Sequence, residues 1–182
     1  MTADLTPTWR KMEYLYETRK TRSIGVSNYR ISDLTSLLSY ARVLPAINQV
    51  ELHPLLPSPA LVSFCRSHGI APVAYSPLGS QNPCPSSTPK LLENRILNEI
   101  ALDKRAEVAQ ILISWGLQMG WSVLPKSSDV ERIRRNFEIV QLNDDDMKRL
   151  ENSREIEGEG RRFVNPIEIF GFDFFAGGER NV

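Results

Sequence analysis

Four times along this chain a short apolar run gives way to a longer segment with helical spacing, and that alternation leaves few folds open. The runs are "SIGVSN", "AINQVEL", "IAPVAYS" and "WSVLPKS". Each is short and nearly continuously apolar, as a parallel strand buried on both faces should be. Between them, residues 31–42 put Leu34, Leu37, Leu38 and Ala41 on one helical face. Residues 59–68 form a helix ended by Gly69, and two further helices are expected over 91–102 and 105–119, the second ended by Gly120. Ahead of the first run, Thr8 is placed to cap a helix over residues 9–20, with Trp9, Met12, Leu15 and Tyr16 near helical spacing. After the last run, helices are expected over 129–140 and 144–154. "PLGSQNPCPSSTP" is a loop by its Pro, Ser and Gly content. Residues 155–182 form an irregular tail in which Phe170, Phe172, Phe174 and Phe175 read as core or lid packing. Alternating βα units imply an α/β fold with a parallel sheet. Four units are half of a (β/α)8 barrel, which typically needs about 250 residues; this chain has 182. The expectation is one domain over residues 1–182, a partial barrel of about four βα units followed by a helix and a tail.

The totals exclude several classes of function. Lysine plus arginine number 22, as do aspartate plus glutamate, so no net charge draws the chain to nucleic acid or an anionic membrane. No apolar run approaches the roughly 20 residues of a membrane span, and "MTADLTPTWRKM" has no apolar stretch of a signal peptide. Cys65 and Cys84 form no CxxC and no framework, which fits inert thiols in a reducing compartment, the cytoplasm. There is no G-x-G-x-x-G, P-loop, HExxH or G-x-S-x-G, and no His/Cys set spaced for a metal.

In parallel α/β folds ligands bind at the carboxyl ends of the strands. Each run here ends in polar groups: Ser27 and Asn28, then Gln49 and Glu51, then Tyr75 and Ser76, then Lys126, Ser127 and Ser128. Hydroxyls and amides suit an amide ligand. A tyrosine offers a flat face to a planar ring. A lysine, hydroxyls and a helix start suit a phosphate. Taken singly, each has a plain structural alternative. Ser128-x-x-Glu131 reads as a capping box. Arg132, Arg134 and Arg135 read as a solvated helix face, although Arg132 and Asn136 lie one turn apart on that face. Tyr75 reads as a packed aromatic, His53 as a structural hydrogen-bonding residue, and His68 as a helix-end residue. Four polar strand ends together suggest a nucleotide laid across the mouth.

"TWRKMEYLYETRKTRSIGVSNY", "AINQVELHP", "PVAYSPLGS" and "SVLPKSSDVERIRRNFEIVQLNDDDMKRL", in that order, resemble the second half of the aldo-keto reductase family. The resemblance runs from about Thr8 onward, and "RRFVNP" with "FGFDFF" resembles the C-terminal loops of some members. It implies strands 5–8 of a (β/α)8 barrel and an oxidoreductase that binds NADP(H) without a Rossmann domain and acts on a small-molecule carbonyl or alcohol. By motif, it implies that Ser27, Asn28 and Gln49 bind the nicotinamide carboxamide and that Tyr75 stacks on the ring. Ser76, Leu78 and Ser80 would line the pyrophosphate and ribose. Lys126, Ser127 and Ser128 would hold the 2′-phosphate, Arg132 the phosphate and adenine, and Asn136 the adenine. Arg135 stands where the family often has Glu or Gln. Lys126 with Arg132 favours NADP over NAD, because the extra phosphate needs cations.

The family's catalytic Asp, Tyr, Lys and His come from its first four units, and this sequence begins just past them, so no catalytic residue is assigned; Tyr14 and Tyr16 match no catalytic motif. Half a barrel leaves two parallel edges bare. Two copies pairing would cover both by symmetry. The alternatives are a non-catalytic half-barrel that binds NADP(H) or another small molecule, and a truncated product without function.

Overall fold

The computed structural model describes residues 4–79, 90–157 and 162–164, with the side chains of 153–157 excepted. The elements run α1 (Thr6–Glu17), β1 (Val26–Ser27), α2 (Ile31–Tyr40), β2 (Ile47–Glu51), α3 (Pro59–Ser67) and β3 (Ala71–Tyr75). After a 3-10 turn at Leu91–Glu93 come α4 (Arg95–Lys104), α5 (Val108–Gln118), β4 (Ser122–Leu124), α6 (Val130–Arg135) and α7 (Asp144–Glu157). The four strands form one parallel sheet in sequence order, β1-β2-β3-β4. Half of a βα barrel has this topology, and the four runs legible in the sequence supply its strands.

The register assigns the two faces. Ser27 pairs with Gln49, Gln49 with Val73, and Val73 with Ser122; two residues on, Glu51 pairs with Tyr75 and Tyr75 with Leu124. Side chains alternate along a strand and match between registered neighbours. All these residues therefore point to one face, the concave side of a barrel. The opposite face carries buried Asn48 and, in one core cluster with Leu34 and Leu37 of α2, Leu61 and Cys65 of α3, and Ile111 and Trp115 of α5, the buried Val26, Val50 and Ala74. The helices thus cover the convex face, while on the concave face Ser27 and Ser122 are exposed and Leu124 is 48% exposed. Close packing at the β4 end depends on Gly116, where a Cβ would stand 2.6 Å from Val123 Cγ1.

Several elements differ from the sequence expectation for identifiable reasons. Helix α1 starts at Thr6 with Pro7 in its first turn, so Thr8 lies inside it and does not cap it. Its buried face holds Trp9 and Glu13, while Tyr16 is exposed. Glu13 is buried because its carboxylate accepts from the backbone N–H groups of Arg42 (2.6 Å) and Val43 (3.0 Å) and from Arg10 Nη1 (2.9 Å). It fastens α1 to the link between α2 and β2. The helix expected over 129–140 stops at Arg135. Gln110, Ser114 and Gln118, one turn apart on α5, take over the backbone that follows. Gln110 Nε2 donates to the carbonyl of Glu138 (3.4 Å), Ser114 Oγ accepts from Val140 N–H (2.9 Å), and Gln118 both accepts from and donates to the backbone of Leu142 (2.9 Å each). The strand expected over "SIGVSN" shortens to Val26–Ser27 and that over "WSVLPKS" to Ser122–Leu124. Among the described residues both are edge strands, with a ladder on one side only. Helix α7 docks on α4 through buried Leu150 and through Arg149, which bonds Glu99 (3.3 Å) and Asp103 (3.1 Å). Ser80, Cys84 and the Phe170–Phe175 cluster lie outside the described residues. No helix among the described residues is long and apolar enough to cross a membrane.

Candidate functional site

The carboxyl rim of the sheet gathers the polar strand ends. At β1 the chain turns sharply: Asn28 is left-handed, with φ +59, a conformation asparagine tolerates better than most residues. Two pairs of bonds hold the turn. Asn28 N–H and Ser27 Oγ both donate to the Gln49 carbonyl, at 3.0 and 2.8 Å. Beneath them, buried Asn48 accepts from Tyr29 N–H (3.4 Å) and donates to the Tyr29 carbonyl (2.8 Å). The side chains of Ser27 and Asn28 are thereby presented at the surface, with Gln49 half-buried beside them. Among the described residues the Gln49 amide makes no hydrogen bond.

Tyr75, at the end of β3, is half-buried, and its hydroxyl donates to Asn28 Oδ1 (3.0 Å). Burial, and then the charge of Glu51, push the phenol above its ordinary value against the opposing pull of Arg162 and Asn28, so the hydroxyl keeps its proton at neutral pH. Ser76 follows in a left-handed conformation, φ +47, and Pro77 and Leu78 continue the rim. Among the described residues, left-handed non-glycine backbone occurs at two strand ends of the rim, Asn28 and Ser76. Such strain is often concentrated at functional sites.

Glu51 is the residue whose role the sequence leaves unstated. Its side chain is wholly buried. The carboxylate accepts from Phe163 N–H (2.6 Å), His53 Nε2 (3.1 Å), Arg162 Nη1 (3.2 Å) and Val164 N–H (3.3 Å). The Phe163 ring packs edge-on against His53, with centroids 5.0 Å apart. Residues 162–164 are thus clamped to the rim between β2 and β3. His53 is the structural hydrogen-bonding residue expected of it.

At the other end, β4 leads through Pro125 to exposed Lys126, half-buried Ser127 and exposed Ser128. The helix cap here differs from the expected capping box. Asp129, not Ser128, is the N-cap of α6, because its Oδ1 accepts from Arg132 N–H (2.8 Å) and Ser127 Oγ accepts from Asp129 N–H (3.1 Å). Ser128 is left at the surface. The three arginines divide. Arg134 pairs with Glu131 (3.2 Å) and Arg135 with Glu107 (2.8 Å), while Arg132 has only a long approach to Asp129 (3.9 Å). Among the described residues Lys126 makes no hydrogen bond or ion pair. Asn136, half-buried, closes α6 one turn after Arg132. Lys126 and Asn136 also border a cleft of about 640 Å3 along the free edge of β4, otherwise lined largely by apolar side chains of α5, β4 and α6.

The rim therefore offers hydroxyls, amides and an aromatic ring at one end, and a cation with hydroxyls at the other. That donor set fits a dinucleotide with an amide-bearing ring and a distal phosphate. Ser27 keeps acceptor capacity, Asn28 keeps its amide N–H groups, and Gln49 keeps both.

Comparison with known proteins gives the same direction. Residues 1–155 match the model of the aldo/keto reductase family. Among curated relatives, a glycerol 2-dehydrogenase (NADP(+)) of Hypocrea jecorina is 45% identical over 95% of this chain and 54% of its own length. An aldehyde reductase of Saccharomyces cerevisiae is 43% identical over 85% of this chain and 48% of its own. Among solved structures, an aldose reductase from Giardia lamblia superposes with a TM-score of 0.86 at 35% identity, covering 96% of this chain and 58% of that one. The chain spans about half the length of the curated relatives it matches.

Proposed function

The chain belongs to the aldo/keto reductase family, and on that premise we propose that it is the cofactor-holding half of an NADP(H)-dependent oxidoreductase acting on a small carbonyl or alcohol. The supporting observation is the polarity of the rim: Ser27, Asn28 and Gln49 present hydrogen-bonding capacity at one end, and Lys126, without an ion pair among the described residues, presents a cation at the other. Ser27 and Gln49 hold the carboxamide together with Asn28, and Tyr75 lies against the ring. Ser76 and Leu78 line the path between the ends. Lys126, Ser127 and Ser128 take the 2′-phosphate, with Arg132 and Asn136 at the adenine. When bound, the nicotinamide supplies hydride chemistry; these residues bind and orient it. None of them is a proton donor to substrate, and no catalytic residue is assigned. The acid comes from groups that complete the barrel.

Among the described residues nothing pairs with the outer edges of β1 and β4, and these edges with the apolar cleft beside β4 favour a second copy in that place. A two-fold axis along the barrel would set the β1 edge of one copy parallel to the β4 edge of the other, giving eight strands. Two cysteines without a framework suit cytoplasmic work.

The test is a fluorescence titration of the purified chain with NADPH, with light scattering for its oligomeric state. Saturable binding in the sub-millimolar range, several-fold tighter than NADH, is the expected result. No binding at these concentrations overturns the cofactor reading, and a monomer overturns the pairing. Binding without turnover of any aldehyde would leave a cofactor-binding module.

A further inference from the structure

Residues 162–164 carry a side chain that reaches past the clamp itself. The rim turn after β3 runs Ser76-Pro77-Leu78-Gly79. It is closed by Gly79 N–H, which donates to the Ser76 carbonyl at 3.0 Å, and is left-handed at both ends, φ +47 at Ser76 and φ +70 at Gly79. Pro77 has no N–H to give, and the Leu78 N–H makes no hydrogen bond among the described residues. Two buried side chains stand behind Gly79. A Cβ placed on it would lie 3.1 Å from Leu91 Cβ and 3.6 Å from Phe163 Cδ2 and Cε2. The bare Cα of glycine therefore seats the turn on the Cδ2–Cε2 edge of the Phe163 ring. That ring is held from the other side. Its backbone N–H is bonded to Glu51 Oε1 at 2.6 Å, and the ring packs edge-on against His53, with centroids 5.0 Å apart. Phe163 and Leu91 both belong to the buried core cluster, where close packing leaves a ring no room to swing aside. Phe163 is thus wedged between the exits of β2 and β3.

We propose that Phe163 is a positioning residue for the middle of the cofactor site: moored by Glu51, its ring fixes the Ser76–Gly79 turn where Ser76 Oγ and the Leu78 N–H meet the diphosphate. The inference rests on the cofactor reading above. The effect is selective, because the turn stands at the exit of β3 while Lys126 to Asn136 follow β4. A ligand that carries the adenosine 2′-phosphate but no diphosphate is indifferent to the wedge.

The test measures three ligands on the whole chain, on Phe163→Leu and on Phe163→Met. NADPH is the first. The second, 2′-phospho-ADP-ribose, keeps the diphosphate and lacks the nicotinamide. The third, 2′-AMP, keeps the 2′-phosphate and lacks the diphosphate. Both substitutions leave the backbone N–H for Glu51 and an apolar side chain in the core, and both remove the flat ring edge behind Gly79. Methionine, the more adaptable filler, is the second variant should leucine unfold. Thermal melting identifies the folded variants. In these, NADPH and 2′-phospho-ADP-ribose are expected to weaken alike, about fivefold in Kd, the scale of one hydrogen bond moved out of line. Binding of 2′-AMP should stay within about twofold. Equal weakening of all three ligands, or unfolding of both variants, makes Phe163 merely structural and overturns the inference. So does weakening of NADPH alone, which puts the effect at the nicotinamide end. If the wild-type chain binds none of the three, the cofactor reading itself falls. If it binds them and the folded variants are silent, only the wedge falls.

Discussion

Replacing Glu13 with glutamine tests how α1 is held to the sheet. The carboxylate is wholly buried and accepts two backbone N–H groups, Arg42 at 2.6 Å and Val43 at 3.0 Å, as well as Arg10 at 2.9 Å. Burial alone would push its pKa up, but the bonds from Val43, Arg10 and Arg42 outweigh it and hold the group at about 2, below the ordinary 4.5. A depressed carboxyl stabilises the fold above its unfolded pKa, and that stability is lost as pH falls from about 4.5 toward about 2. Taken whole, the shift is worth about 3 kcal/mol at neutral pH. Arg10 and Arg42 are 41% and 62% exposed, so water screens their charge, and about 2 kcal/mol is the better expectation. Glutamine can still accept one N–H but turns a donor toward the other. The assay is urea unfolding of both proteins from pH 7 to pH 3. Glu13→Gln should be less stable by about 2 kcal/mol at pH 7, and the gap should shrink to less than half by about pH 3, where the unfolded wild type takes up the proton. A gap that is constant with pH would mean that shape and not charge matters. A gap under about 0.5 kcal/mol at pH 7 would refute the latch, since that is the range of an ordinary surface change.

Three further outcomes are expected. Ser114→Ala strands the Val140 N–H that the hydroxyl now accepts at 2.9 Å, and should cost about 1–3 kcal/mol in the same unfolding assay. Gly116→Ala puts a Cβ 2.6 Å from Val123 Cγ1, and should cost about 1–3 kcal/mol through forced displacement of β4; unchanged stability would mean the strand end yields freely. Lys126→Ala should weaken NADPH about tenfold by loss of one charge-assisted contact, with NADH little affected and the NADPH effect shrinking as salt rises; equal loss for both cofactors would remove Lys126 from the 2′-phosphate.

The strand order was legible because a buried parallel strand writes its burial directly into a short apolar run, and all four runs became strands in sequence order. Helix ends set by local chemistry were legible too: Gly69 and Gly120 follow their helices in left-handed conformation. What failed depended on distant partners. Helix α6 stops at Arg135 because a polar side chain every turn on α5 captures the next stretch, a pattern visible in "QILISWGLQ" only once the captured segment is known. Glu13 occupies an apolar-face position one turn after Trp9, and a carboxylate there predicts a buried acceptor without naming the two N–H groups 29 and 30 residues away. Ser128 and Asp129 are both capable caps, and the choice between them turned on Ser127 bonding Asp129 N–H.

The same distinction separates the two ends of the candidate site. The phosphate end is local: Lys126 to Asn136 lie in eleven consecutive residues, and their chemistry could be listed from the sequence. The amide end is assembled from three strands and a segment 111 residues beyond Glu51, so its members were legible but not their orientation. Orientation is what an amide site needs, because an amide ligand offers a donor and an acceptor that are nearly the same shape. A lysine attracts a phosphate from many angles, but Asn28 must be turned one way to meet a carbonyl. The Tyr75 hydroxyl, which donates to Asn28 Oδ1 at 3.0 Å, supplies that turn. The register of β1, β2 and β3, which brings Tyr75 to Asn28, therefore carries information that the motifs lack.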